Sequence, residues 1–181
     1  MADTQIWAIS GEGFEVTQRT GVRLSQLQVF ADDPASLADA LGMRLPTEPN
    51  TTVGEETCAM WLAPREWLID LAGDIRPDEW DARLRARGIL YLLNGVDDGY
   101  AVFDIGGEAS RDVIAHGCSL DLHPAKFGAN RCARTLFAGS PSLLRRKSRP
   151  STFRLFADPG LEWFLRDWFA QRSRMPSGTL P

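Results

Sequence analysis

Both histidines of this 181-residue chain, His116 and His123, lie close to two of its cysteines, Cys118 and Cys132. Their order, H-x-C-x4-H-x8-C, supplies the four nitrogen and sulfur donors of a tetrahedral zinc site, with Asp121 as a further oxygen donor. The run lacks the paired C-x-x-C knuckles that mark structural zinc, and helix-end packing and capping explain the same residues more simply. Cys118 beside His116 or His123 is nominally a thiol–imidazole pair. A nucleophile of that kind needs its base oriented by a third group, and no local signature provides one. The residue types therefore assign no catalytic residue and no metal ligand.

Gly95, Gly99, Gly106 and Gly107 cluster as a phosphate-binding loop would, yet neither G-x-x-x-x-G-K-[ST] nor G-x-G-x-x-G is present. Arg145-Arg-Lys-Ser-Arg149 resembles a short nucleic-acid patch. It falls on an expected strand and turn in an acidic chain of net charge -4, so no nucleic-acid partner is expected. The charge is divided unevenly. Residues 1–110 carry 19 acidic and 8 basic side chains, whereas residues 111–181 carry 5 and 12. From Leu122 to Ala157 there is no Asp or Glu, against eight Lys or Arg. Such a segment projects a positive field suited to an acidic protein surface, a phosphate or a carboxylate. The alternative is that the acidic half of the same chain folds against it.

Several elements must position these groups. Val22, Leu24 and Leu27–Phe30 read as a strand, and Asp33-Pro34 as a helix start closed by Gly42. Residues 57–62 and 66–71 flank Ala63-Pro64-Arg65 as a hairpin. Residues 77–87 form a helix with Trp80 and Leu84 on one face, ended by Gly88. Strands are expected at 89–93 and 100–105, and a short helix over 107–116 ended by Gly117. Residues 131–137, 143–146 and 152–156 read as three more strands. Asp158-Pro159 then opens a last helix striped by Leu161, Phe164, Leu165, Trp168 and Phe169. Trp163 lies off that stripe with Asp167 and Ala170. An exposed tryptophan there is a partner anchor, since interface hot spots favour Trp.

Strands grouped around a few helices without strict alternation imply an α+β fold, and two sets of strands followed by a helix suggest a duplicated architecture. The organisation read from this is an irregular segment at 1–54 with one strand and one helix, a duplicated core at 55–174, and a flexible tail at 175–181. A hydrophobic content of 44% with six tryptophans is ample for a core. No stretch approaches the roughly 20 apolar residues of a membrane span, and the N-terminus lacks a secretion signal. Three cysteines cannot all pair, so a reduced, cytoplasmic setting is expected.

The segment Ala109-Ser-Arg-Asp-Val-Ile-Ala-His-Gly-Cys-Ser-Leu-Asp-Leu-His-Pro124 resembles the gamma subunit of heterotetrameric sarcosine oxidase, whose A-R-D-V-L helix runs into G-C-S-L-D-L-H-P. The similarity continues through Phe127, Arg131-Cys-Ala-Arg-Thr135, Leu143-Leu-Arg-Arg146 and Phe153-Arg-Leu155. Upstream, Trp61-Leu-Ala-Pro-Arg-Glu-Trp-Leu68 is similar to the family's first hairpin. The resemblance runs from about Thr57 to Phe169.

That family is related to the folate-binding fold of the glycine-cleavage T-protein, so the resemblance implies two interlocked β-β-α-β type halves. It also implies a sarcosine oxidase complex with alpha, beta and delta subunits, in which FAD, FMN, NAD, tetrahydrofolate and zinc reside in the partners and no cofactor binds this chain. The complex demethylates sarcosine oxidatively and passes a one-carbon unit to tetrahydrofolate. T-protein relatives carry an acidic residue on a strand after a G-G turn, but the matching region here, Gly139-Ser-Pro-Ser-Leu-Leu-Arg-Arg146, has none. Proton transfer needs a group of suitable pKa within hydrogen-bond reach, so the shared fold implies a structural rather than a catalytic subunit. Trp163, Arg131, Arg134, Arg145 and Arg146 are then the expected partner-interface residues. A free-standing folate- or anion-binding module, with the same four arginines holding the glutamate tail of tetrahydrofolate, is the alternative.

Overall fold

A computed structural model of the chain describes residues 4–30, 34–73 and 75–175. In chain order its elements are β1 (Thr4–Gly11), β2 (Phe14–Thr20), β3 (Arg23–Val29), α1 (Pro34–Leu41), β4 (Thr52–Val53), β5 (Cys58–Ala63), β6 (Glu66–Leu71) and α2 (Pro77–Ala86). There follow β7 (Tyr91–Gly95), β8 (Ala101–Gly106), α3 (Ser110–Gly117), β9 (Cys132–Phe137), β10 (Ser140–Arg146), β11 (Phe153–Ala157) and α4 (Glu162–Ser173). Among the described residues no helix is long and apolar enough to cross a membrane.

The fold is α+β, with two antiparallel sheets in two compact units. One unit is residues 22–97; the other joins residues 1–21 to 98–181, so the first is an insertion in the second. The smaller unit's sheet has the order β4-β5-β6-β3-β7, and the larger unit's sheet the order β1-β2-β8-β11-β10-β9. The two repeat one scheme. A strand (β3 or β8) leads through a helix (α1 or α3) to three strands and a closing helix (α2 or α4). The order β4-β5-β6-β3 then matches β9-β10-β11-β8. The duplication expected from the sequence is therefore a duplication of topology.

Its boundaries differ from the reading at residue 54. Residues 1–54 hold β1 to β4 and α1, not one strand and one helix, and neither unit begins at residue 55. β2 buries Phe14, Val16 and Gln18 on one side and turns Glu15 outward, a strand alternation with a polar residue among the buried ones. That glutamine hides the pattern from an apolar count. The side chain of Arg166 on α4 donates to it in the folded chain. Asp33, the expected helix cap, and the tail beyond Met175 lie outside the described residues.

Local chemistry accounts for the elements of the smaller unit. Pro77 opens α2 where no amide donor is needed, Asp78 and Glu79 sit in its first turn, and Arg83 and Arg85 in its last. Trp80 and Leu84 face inward against Leu27, Trp67 and Ile69. The Trp67 Nε1 donates to the Pro46 carbonyl at 2.7 Å, which satisfies the one polar atom that this core aromatic carries. In the larger unit the core is aromatic: Phe137 lies 5.5 Å from Phe169 and 4.9 Å from Trp168, and Phe103 is 5.7 Å from Phe169. Of the expected stripe, Leu165 and Phe169 are fully buried and Phe164 and Trp168 pack at the core's margin, while Leu161 precedes α4 and is only half-buried.

Candidate functional site

Antiparallel pairing in the larger unit sets Arg154 on β11 directly opposite Asp104 on β8, and Arg145 on β10 opposite Arg154. The Arg154 guanidinium donates to both Asp104 oxygens, Nε to Oδ1 at 2.7 Å and Nη2 to Oδ2 at 2.7 Å. Arg19 of β2 adds a bond of 3.2 Å to Oδ2, and Lys147 stands 3.8 Å from Oδ1. One carboxylate thus meets three cations. Burial by itself would raise the Asp104 carboxyl, but the bonds and charge of Arg154, with Lys147 and Arg19 behind it, outweigh burial and hold it below its ordinary value. The acid-free run 122–157 accordingly finds its carboxylate in the acidic half of the chain, within the same unit.

Successive strand residues point to opposite faces, so Arg145 and Arg146 part company on β10. Both are buried, Arg145 at 1% exposure and Arg146 at 9%, and neither presents a surface contact as the sequence suggested. Arg146 turns to the face of Phe153, whose ring centroid lies 4.8 Å from its guanidinium carbon. Its Nη1 donates to the carbonyls of Lys147, Arg149 and Thr152 at 3.1, 2.7 and 2.8 Å, closing the loop between β10 and β11. Arg131 and Arg134 are exposed beside and on β9, an edge strand of its sheet, where Leu136 is also 59% exposed. Trp163 is 71% exposed on α4, off the buried stripe as its register implied. Asp104, Arg154 and Arg19 escaped the sequence reading because strand pairing, not chain proximity, unites them.

The histidine and cysteine set does not converge. His116 Nδ1 sits 2.6 Å from the Asp112 carbonyl one helical turn earlier, and His123 Nδ1 accepts the Ala125 amide in its own turn. Cys132 is fully buried on β9. Among the described residues no three His, Cys, Asp or Glu side chains gather as a metal ion would need. Cys118 is a free thiol that burial pushes above its ordinary pKa, the opposite of an activated nucleophile. The Gly106-Gly107 pair has a packing role. Gly107 has φ +99, and a Cβ on it would come 2.4 Å from the Gly13 carbonyl oxygen of the β1–β2 turn.

Comparison with known proteins places this arrangement. A family model described as "Sarcosine oxidase, gamma subunit family" matches residues 29–173. The sarcosine oxidase subunit gamma of Arthrobacter sp is 33% identical over 139 residues, covering 72% of this chain and 67% of that protein. That of Corynebacterium sp. (strain U-96) is 34% identical over 124 residues, covering 65% and 58%. Among solved structures, a chain of the heterotetrameric sarcosine oxidase from Corynebacterium sp. U-96 in complex with pyrrole 2-carboxylate superposes with a TM-score of 0.78 at 24% identity. That match covers 94% of this chain and 91% of that one. The glycine cleavage system aminomethyltransferase T from Bartonella henselae shares the fold, with a TM-score of 0.59 at 13% identity over 88% of this chain and 46% of that one.

Proposed function

Since the chain belongs to the sarcosine oxidase gamma-subunit family, we propose that it is a non-catalytic structural subunit of a sarcosine oxidase complex. That complex demethylates sarcosine oxidatively to glycine, with the one-carbon unit going to tetrahydrofolate. The carrying observation is the family match over residues 29–173, joined to a fold that follows a chain of a heterotetrameric sarcosine oxidase along 94% of its length. The partners are alpha, beta and delta subunits, and FAD, FMN, NAD, tetrahydrofolate and zinc belong to them.

Charge and exposure indicate how docking would work. Trp163 is the largest exposed apolar side chain among the described residues, and interface cores favour tryptophan and arginine over lysine and acids. Arg131 and Arg134 supply exposed, always-charged forks suited to carboxylates on a partner. The competing reading, a free-standing folate- or anion-binding module, needs Arg131, Arg134, Arg145 and Arg146 to converge on one ligand. Arg145 and Arg146 leave opposite faces of β10, so the four do not converge.

The test is co-expression with candidate alpha, beta and delta subunits, followed by size-exclusion chromatography with flavin absorbance recorded. Co-elution of this chain with the flavin peak is expected. Elution alone, with flavin elsewhere, would remove the subunit reading and lead to tetrahydrofolate titrations.

A further inference from the structure

Buried polar groups are nearly always paired, so donors without an acceptor point to something that belongs beside them. Two such donors belong to arginines that lie against one ring in the larger unit. Arg111, in the first turn of α3, has its Nη1 buried without a hydrogen-bond partner. Arg146 is 9% exposed, and its Nε is also buried without a partner. The two guanidinium carbons lie 5.7 and 4.8 Å from the centre of one ring, that of Phe153. Neither arginine makes an ion pair with a carboxylate among the described residues, in contrast to Arg154 and Arg19 in the same unit.

The chemistry of the pair is specific. Burial, and then the charge of Arg111, depress the Arg146 guanidinium from its ordinary value, yet arginine starts so high that Arg146 stays charged at neutral pH. The buried Arg146 charge therefore lies near the half-buried Arg111 charge, which is unfavourable unless a third charge intervenes. The start of α3 adds its own partial positive charge. Three carbonyls hold Arg146 Nη1, so that guanidinium is oriented before any ligand arrives. The Ser110 hydroxyl donates to the Ser151 carbonyl at 2.9 Å, tying the loop after Arg146 to the helix turn that carries Arg111. A water molecule would satisfy the donors but leave both charges uncompensated. An oxyanion does both.

We infer that Arg111 and Arg146 form a binding site for a small oxyanion of the phosphate or carboxylate class, whose oxygens accept from Arg111 Nη1 and Arg146 Nε. The site involves neither Trp163 nor the exposed arginines of β9, so it stands or falls apart from subunit docking.

The test is thermal unfolding and calorimetric titration of the full chain in chloride buffer at constant ionic strength, with inorganic phosphate and malonate as probes. Saturable binding is expected, with the melting temperature rising about 4 °C or more at saturation. The stronger probe identifies the class. Arg111→Gln should abolish the response and, in chloride alone, melt no lower than the wild type, because the like-charge repulsion has gone. Should Arg111→Gln fail to fold, Arg111→Lys keeps the charge without the fork and should weaken binding about tenfold or more. Absence of saturable heat with either probe in the wild type would overturn the inference, as would an unchanged response in the Arg111 variants.

Discussion

At the scale of single residues, Asp104 is the position on which most charge depends. Replacing it with Asn removes the carboxylate charge to which Arg154 donates two hydrogen bonds and beside which Arg19 and Lys147 stand. Loss of one partner of a buried pair costs about 3–5 kcal/mol. The pH dependence has a definite sign. The folded-state carboxyl is held below its ordinary value, so its contribution to stability is present above the unfolded pKa of about 3.9 and is lost as pH falls through the folded value. Urea unfolding at pH 7 and below about pH 4 should show a wide gap between wild type and Asp104→Asn at neutral pH, closing only in the more acid range. A gap independent of pH would show that the carboxylate charge is not what matters. None of this was legible from the basic run alone. Arg145 and Arg146 look like one patch in the sequence, yet neighbours on a strand must face opposite ways, and Asp104 lies fifty positions from Arg154.

At the scale of elements, the legible parts are those with one strong local pattern. The hairpin of β5 and β6, with its Ala63-Pro64-Arg65 turn, and α2 with its proline start and glycine stop stand within one or two residues of expectation. β1, β2 and β4 were not legible. The two-residue β4 has no pattern to read, and β2 buries a glutamine that only the distant Arg166 satisfies. The glycines divide in the same way. Gly88 and Gly107 both have positive φ, where an alanine costs about 1–2 kcal/mol, but Gly88 has open space around it. A Cβ on Gly107 would instead meet the Gly13 carbonyl oxygen and, at 2.8 Å, the Phe14 Cα, levering the β1–β2 turn off the start of α3. Unfolding free energies from denaturant curves should therefore fall further for Gly107→Ala than for Gly88→Ala, by about 2 kcal/mol or more. Equal losses would mean that close backbone approach is irrelevant and only the dihedral counts.

At the scale of the whole molecule, the division of charge changes meaning once the units are known. Residues 22–97 hold 13 acidic and 7 basic side chains, whereas residues 1–21 and 98–181 together hold 11 and 13. The acidic and basic halves of the sequence are thus not two opposed surfaces, because the chain returns to its first unit after residue 97 and mixes the signs there. What remains for a partner is local: the 71% exposed Trp163, with Arg131 and Arg134 at the β9 edge. Truncating an exposed tryptophan removes little from the chain's own core, so Trp163→Ala should melt within about 1 °C of the wild type, as surface substitutions do. In the complex the same truncation should cost about 2 kcal/mol or more if the indole fills a partner pocket, a loss of about thirtyfold in affinity. The measurement is the fraction of this chain that co-elutes with the flavin peak on serial dilution. Co-elution of the variant equal to that of the wild type at every dilution would exclude Trp163 as the anchor and move the search to Leu136 and the arginines of the β9 edge. A shift in the dilution midpoint without a shift in melting temperature would fix α4 as the docking helix.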